Sequence, residues 1–407
     1  MPRYNGGFIG TDGLDAPDPP TDITPTAGNA QVSVAFTAPT DAGTSAITGF
    51  VAQVSTDGTD YSAGSNTGSS SPIVVTSLTN GTAATAKVWA INAYGTSAPS
   101  DASSSFTPAI PQRAIYAGGN NTSGQAKNVI EFLDINSSGN MSDFGDLTTA
   151  RDTGPAGLGS STRGIIAGGT GLKSIDYITI ASTGNAQDFG DLLDYQSDTN
   201  QTARAELGGG GNDTRGIIVG AAPLSANGKI DYITIASLGN STNFGETLSN
   251  NNNNQCRGAG STTRFIYGAF QSNKDQIEYI TIASTGNGTN FGDLGNDEWN
   301  NSAVNSSATR CCWAGGGTRH NQIRYVTISS TGNGTDFGDL LATNTQMAAA
   351  SNKTKGLMMG GSLDGNTRTN VIQQITIAST GNSTDYGDLD EAKRNGTGLS
   401  NAHGGLS

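Results

Sequence analysis

Ile175-Asp-Tyr-Ile-Thr-Ile-Ala-Ser-Thr-Gly-Asn-Ala-Gln-Asp-Phe-Gly-Asp-Leu192 decides how the chain is read. The same wording returns at Ile130–Leu147, Ile230–Leu248, Ile277–Leu294, Ile323–Leu340 and Ile372–Leu389. Ahead of each copy stands a short run that opens on a basic residue and ends in glycine. Arg163-Gly-Ile-Ile-Ala-Gly-Gly169 is one, and the others open at Arg113, Arg215, Arg264, Arg310 and Lys355. Successive basic residues are 50, 52, 49, 46 and 45 positions apart. A period of about 40–50 residues built from short strands predicts a β-propeller, here with six blades.

Each unit offers four strands, which in the second copy are Thr153–Leu158, Gly164–Gly168, Ile175–Ile180 and a last one ending at Phe189–Leu192. Along the third, Ile175, Tyr177 and Thr179 alternate with Asp176, Ile178 and Ile180, so both faces carry apolar side chains. That suits a strand covered on two sides rather than one. Ser182-Thr-Gly-Asn185 reads as turn chemistry joining the third strand to the fourth. Phe189-Gly-Asp191 reads as an aromatic core plug followed by a turn. The first unit starts at Arg113 without a leading strand, whereas Glu391–Gly405 is similar in wording to Thr149–Gly159. The C-terminal segment is therefore expected to supply the missing strand beside residues 113–119.

Composition limits the function. Lys and Arg total 21 against 34 Asp and Glu, a net charge of −13 that disfavours binding to a phosphate backbone. No run approaches the about 20 apolar residues of a membrane helix, so no membrane insertion is expected. Met1–Gly10 has no apolar core of a secretory signal. Cys256, Cys311 and Cys312 are too few for a disulfide framework and read as packing residues.

Residues 1–20 are rich in Gly and Pro, with Tyr4, Phe8 and Ile9 as candidates for a docking arm onto a neighbouring protein. Residues 21–108 change style. Gln31–Phe36, Ile47–Val54, Ile73–Leu78, Thr85–Ile91 and Ser103–Thr107 are short strand candidates, with a hairpin signal at Asp57-Gly58. They predict an antiparallel sandwich. A proline-containing joint at 109–112 separates this domain from the ring, which takes up 113–407.

Pro19-Pro20, Leu78-Thr-Asn-Gly-Thr82 and Val88-Trp-Ala-Ile-Asn-Ala-Tyr-Gly-Thr-Ser97 resemble the corresponding motifs of fibronectin type III domains. Phe36 stands where that family has an early tryptophan, and Ala84 where it has the tyrosine of its corner. The resemblance therefore implies a core drawn from Phe36, Phe50, Val88 and Ile91. Residues 113–389 resemble Kelch-type propellers in period and Gly-Gly doublets, without the Tyr and Trp that follow the doublet there. In wording they are more similar to repeat-bearing structural proteins of tailed phages, especially those infecting marine cyanobacteria. That resemblance implies a virion-surface location. It also implies attachment to other virion proteins through the N-terminal arm and fibronectin-like domain.

Asp143-Phe-Gly and Asp188-Phe-Gly match a kinase motif only by accident, since no phosphate loop accompanies them. Asp146, Asp191, Asp293, Asp339 and Asp388 are hard ligands, but they are spread one per unit rather than gathered in a calcium loop. His320 and His403 are the only histidines, and no nucleophile or zinc motif is present. No cofactor or catalytic residue is assigned. Variation concentrates between units, at Asn250–Asn254 and Gly295–Asn301. Asn252, Asn253, Asp297, Glu298 and Trp299 are candidates for a ligand-binding surface, with Trp299 suited to stacking on a sugar. Trp313, inside a strand, reads as core. The expectation is a non-enzymatic adhesion protein on a tail or baseplate fibre, displaying its loops to a host glycan or protein. A capsid decoration or head-fibre protein and a virion glycan hydrolase are the alternatives.

Overall fold

The structure is a computed structural model that describes residues 14–169, 171–194, 204–220, 228–248, 255–271, 273–295, 298–317 and 320–406. The described chain is all-β, without helices, in eight antiparallel sheets. It divides into two units, residues 1–111 and 112–407.

In the first unit a three-stranded sheet holds Thr21–Gly28, Gln31–Thr37 and Ile73–Thr76. A four-stranded sheet holds Gly64–Gly68, Ile47–Ser55, Thr85–Asn92 and Gly95–Thr96. Period-two burial gives the two sheets one shared core around Val32, Val34, Phe50, Val54, Val75 and Val88. Phe36 packs on Phe50 with ring centroids 4.8 Å apart. Ile91 does not join them. It sits one register step from Val88 and Ala90, so with Trp89 and its odd-numbered neighbours it stays only half-buried.

The expected closing strand over Ser103–Thr107 also differs. Only Ala84 and Phe106 bridge there. The sheet edge is instead covered by serines spaced three apart. Ser97, Ser100 and Ser103 accept the amides of Ala90, Val88 and Ala86 on Oγ, each at 3.0 Å. Their own amides donate to the same three residues' carbonyls at 2.8, 3.0 and 2.9 Å.

The second unit contains six four-stranded sheets. The second sheet runs Ala156–Gly159, Arg163–Ala167, Ser174–Thr179 and Gln187–Asp191 in sequence order. The third to sixth repeat this order from Gly208, Arg257, Ala303 and Ala348. The first sheet is assembled differently. Arg113–Asn121, Lys127–Asp134 and Ser142–Arg151 are joined by Lys393–Ser400, which pairs with Arg113–Asn121 from Lys393 opposite Asn121 to Ser400 opposite Ala114.

Two boundaries depart from the sequence reading. The leading strand begins at Ala156 rather than Thr153, because Thr153 takes a left-handed φ of 55°. Phe189-Gly-Asp191 lies inside the fourth strand and is not a turn. The register slips between Ile175 and Asp176 opposite it.

The two-sided third strand decides the packing. Ile175 and Tyr177 meet Ile218, Ile233 and Ile235 of the third sheet. Ile178 and Ile180 meet Ile115, Ile130 and Phe144 of the first. Similar cores join the third sheet to the fourth, the fourth to the fifth and the fifth to the sixth. A further core joins the sixth sheet to the first through Leu357, Met359 and Tyr386 against Tyr116, Leu133 and Ile135. The packing order is thus cyclic.

The repeated turn is the clasp between sheets. Gly184 and Ala186 of the second sheet donate to Phe144 and Asp146 of the first at 2.7 and 2.8 Å, and Asn185 Oδ1 accepts the Asp146 amide at 3.0 Å. The same clasp recurs at each step, ending with Gly139 and Met141 donating to Tyr386 and Asp388 of the sixth sheet. Glycine is required where the clasp lands. A Cβ on Gly190, at φ +148°, would stand 2.5 Å from the Gly239 carbonyl.

Candidate binding face

Of the residues singled out in the sequence, Tyr4, Phe8, Ile9, Asn252, Asn253 and Asp297 lie outside the described residues. Glu298 pairs with Lys274, both partly exposed. Trp299 is not a surface residue. It is fully buried in the core between the fourth and fifth sheets, and its ring meets His320 edge-on with centroids 4.3 Å apart. A side chain with no exposed face cannot stack on a sugar, so Trp299 leaves the candidate set. Trp313 is buried in the same core. Among the described residues no three His, Cys, Asp or Glu side chains gather as a metal site.

Trp299 belongs to a position that recurs in each connection between sheets. At this position Arg151, Arg204 and Lys393 are buried against an acid on the third strand of the sheet that their connection leads into: Asp176, Asp231 and Glu131. Arg151 also donates to the carbonyls of Ser174 and Gly168 at 2.7 and 3.0 Å, so the guanidinium ties the connection to its sheet. Removing a charge from water is costly unless it is paired and hydrogen-bonded, which is what these contacts supply.

The other sheets change the pair. Glu278 of the fourth is fully buried, accepts from Tyr267 Oη at 2.9 Å and the Leu248 amide at 3.1 Å, and has no ion-pair partner among the described residues. Burial pushes its carboxyl pKa up. The fifth sheet has no such pair, with Trp299 in the cation's place and Arg324 in the acid's. The sixth uses amides, Asn344 and Gln373, and Gln373 Oε1 accepts the Leu341 amide at 2.8 Å.

Two residues further along each connection stands a left-handed residue: Thr153, Glu206, Gln255, Asn301, Gln346 or Asn395, with φ between 55° and 63°. These six close a circuit. The amides of Glu206, Gln255, Asn301, Gln346 and Asn395 donate to the carbonyl of the preceding member at 2.8, 3.1, 3.1, 3.0 and 3.1 Å. The Asn395 carbonyl then accepts from Gly154 at 3.1 Å. Leu207, Ser302 and Met347, each next to one of these six, line one end of a narrow cavity that all six leading strands enclose. Asn300 donates to Gln255, and Gln255 Nε2 to Glu206 at 3.3 Å. At the cavity's other end His403 meets the Gly159 carbonyl at 2.9 Å, and the Gly404–Gly405 backbone packs on Ser307 and Gly211. Burial there pulls the His403 pKa down.

Sequence reasoning missed this face, although it leaves a signal. Glu206, Gln255, Asn301 and Gln346 each stand nine positions before the basic residue that opens the next strand. Comparison with protein-family models and with curated protein sequences found no match.

Proposed function

We propose that the six cyclically packed sheets are the blades of a β-propeller, closed by the C-terminal strand, and that residues 21–108 form a fibronectin type III-like sandwich. We further propose that the protein is a non-enzymatic component of a tailed-phage virion surface, on a tail or baseplate fibre. There the ring would present its connecting loops to a host-surface glycan.

One observation carries this reading. The repeated side chains are consumed internally: in five sheets the arginine opening the second strand reaches the next sheet, an aromatic pair fills the core of its own sheet, and the turn clasps each sheet to its neighbour. Arg163, for example, lies over the Tyr177 ring at 4.6 Å and donates to the Ile235 carbonyl of the following sheet at 2.7 Å. What differs between units is left in the connections, the arrangement of a scaffold with variable display loops. The similarity of the repeat to cyanophage structural proteins supports the virion setting. Cryo-electron tomography of virions carrying a tagged chain tests the location, and density on the capsid would favour the decoration protein instead. Binding of the purified chain to host cells and to a glycan array tests the adhesin role. Retention on neither would remove it.

A further inference from the structure

The position two residues past each left-handed residue holds Pro155, Gly208, Ala303, Ala348 and Thr397 in five connections. In the sixth it holds Arg257. A guanidinium has been placed where the other sheets keep small side chains, beside the cavity that the six leading strands enclose.

Among the described residues its contacts are to backbone carbonyls. Nη1 donates to the carbonyls of Cys256 at 2.8 Å and Leu207 at 3.3 Å. No ion pair to Arg257 forms among the described residues. Glu206 is the acidic group whose charge acts on it, but its carboxylate accepts from Gln255 instead. The guanidinium reaches across to the second sheet's connection, where a Cβ on Gly154 would stand 2.7 Å from Nη2. Crowding desolvates it and lowers its pKa, yet it keeps some accessible surface and lines the cavity. A second polar group lines the same cavity. Ser302 is fully buried, and its Oγ has no hydrogen-bond partner among the described residues. Desolvated charges and buried hydroxyls are destabilising unless something satisfies them.

We propose that this cavity is an anion site: a small oxyanion, carboxylate or phosphate in chemistry, binds between the Arg257 guanidinium and the Ser302 hydroxyl. Guanidinium matches either group with two parallel N–H donors. Size follows from the walls. A Cβ on Gly157 would stand 2.5 Å from the Gly398 carbonyl, and one on Gly209 2.6 Å from the Gly157 carbonyl, so the leading strands are nearly touching. The occupant is an ion or a single carboxylate group and not a sugar ring. An occupant held by the folded chain alone stabilises it by mass action.

The test is calorimetric titration and thermal unfolding of the whole chain, dialysed free of small anions. Phosphate and acetate are compared with chloride at equal ionic strength. A saturable heat and a rise in melting temperature with either oxyanion, but not chloride, are expected. Phosphate alone would identify an inorganic ion as occupant, and acetate alone the carboxylate of an organic one. Arg257→Gln should weaken binding at least tenfold and Ser302→Ala about threefold, with Arg257→Lys between them. Equal behaviour in all three salts would overturn the site. So would undiminished oxyanion binding by Arg257→Gln. If Arg257→Gln does not fold, the wild-type salt series and Ser302→Ala decide the matter.

Discussion

Glu278 shows how a repeated position can be filled against local electrostatics. Burial raises its folded-state pKa above the roughly 4.3 of an unfolded glutamate, so the native chain binds the proton more tightly than the unfolded one. Its contribution to stability is present below that unfolded value and is lost as pH rises through the folded value. The sixth sheet already carries the remedy at the equivalent place, Gln373. Glu278→Gln should raise stability at pH 7 by about 1 kcal/mol and show no advantage below about pH 4, in urea melts across that range. Tyr386 gives a second case. In the first five sheets an arginine reaches the next sheet's isoleucine carbonyl and a phenylalanine plugs the core. The sixth has Lys355 instead, and the phenol of Tyr386 takes over, donating to the Ile135 carbonyl at 2.7 Å. Tyr386→Phe should cost about 1 kcal/mol alone but little in a Lys355→Arg background, where a guanidinium can reach that carbonyl. A double-mutant cycle by chemical denaturation measures the coupling. The sequence displayed both exchanges, but only the register of the sheets says that the exchanged residues share a contact. Trp299 was misread for the same reason: its polar neighbours suggested a surface loop, whereas it fills a position that holds a buried cation in other sheets.

At the scale of elements most strands were legible, because burial on one face leaves a period of two in the residue types and burial on both leaves a short apolar run. The edge of the N-terminal unit's four-stranded sheet escaped that reading. Ser97, Ser100 and Ser103 have a period of three, so a search for alternation places a strand further on, at Ser103–Thr107. Hydroxyls that accept the amides of Val88 and its neighbours close an edge that would otherwise stay open to another chain. Ser100→Ala leaves the Val88 amide without its side-chain acceptor and should cost about 1–3 kcal/mol. Hydrogen exchange of the peptide spanning Thr85–Asn92 should rise correspondingly, whereas peptides of the second unit keep their protection. The clasp was half legible. Ser182-Thr-Gly-Asn185 was recognisable as a turn, but its hydrogen bonds to the neighbouring sheet run between units and leave no mark within one.

For the whole molecule, the cyclic order of the cores passes through the first sheet, which Lys393–Ser400 completes. This segment adds the fourth strand to the first sheet, and Leu399 enters the core shared with the second. Its role was readable because a repeat that starts one strand late must run one strand past its last unit to be complete. Cutting the chain after Leu389 should abolish the cooperative unfolding of residues 112–389 and make them sensitive to protease. A synthetic peptide covering residues 390–407 should restore both when added in excess. Failure of the peptide to bind, with the truncated chain still melting cooperatively, would show that the strand is dispensable. Asn401 Oδ1 accepts the amide of Arg113 across 288 residues of sequence. A ribosome adding about 5–20 residues per second therefore releases the two partners on the order of 15–60 s apart. Throughout that interval the earliest sheet waits with an unpaired border and greasy flanks, so newly made chains crowded on one message are at risk of borrowing each other's last strand.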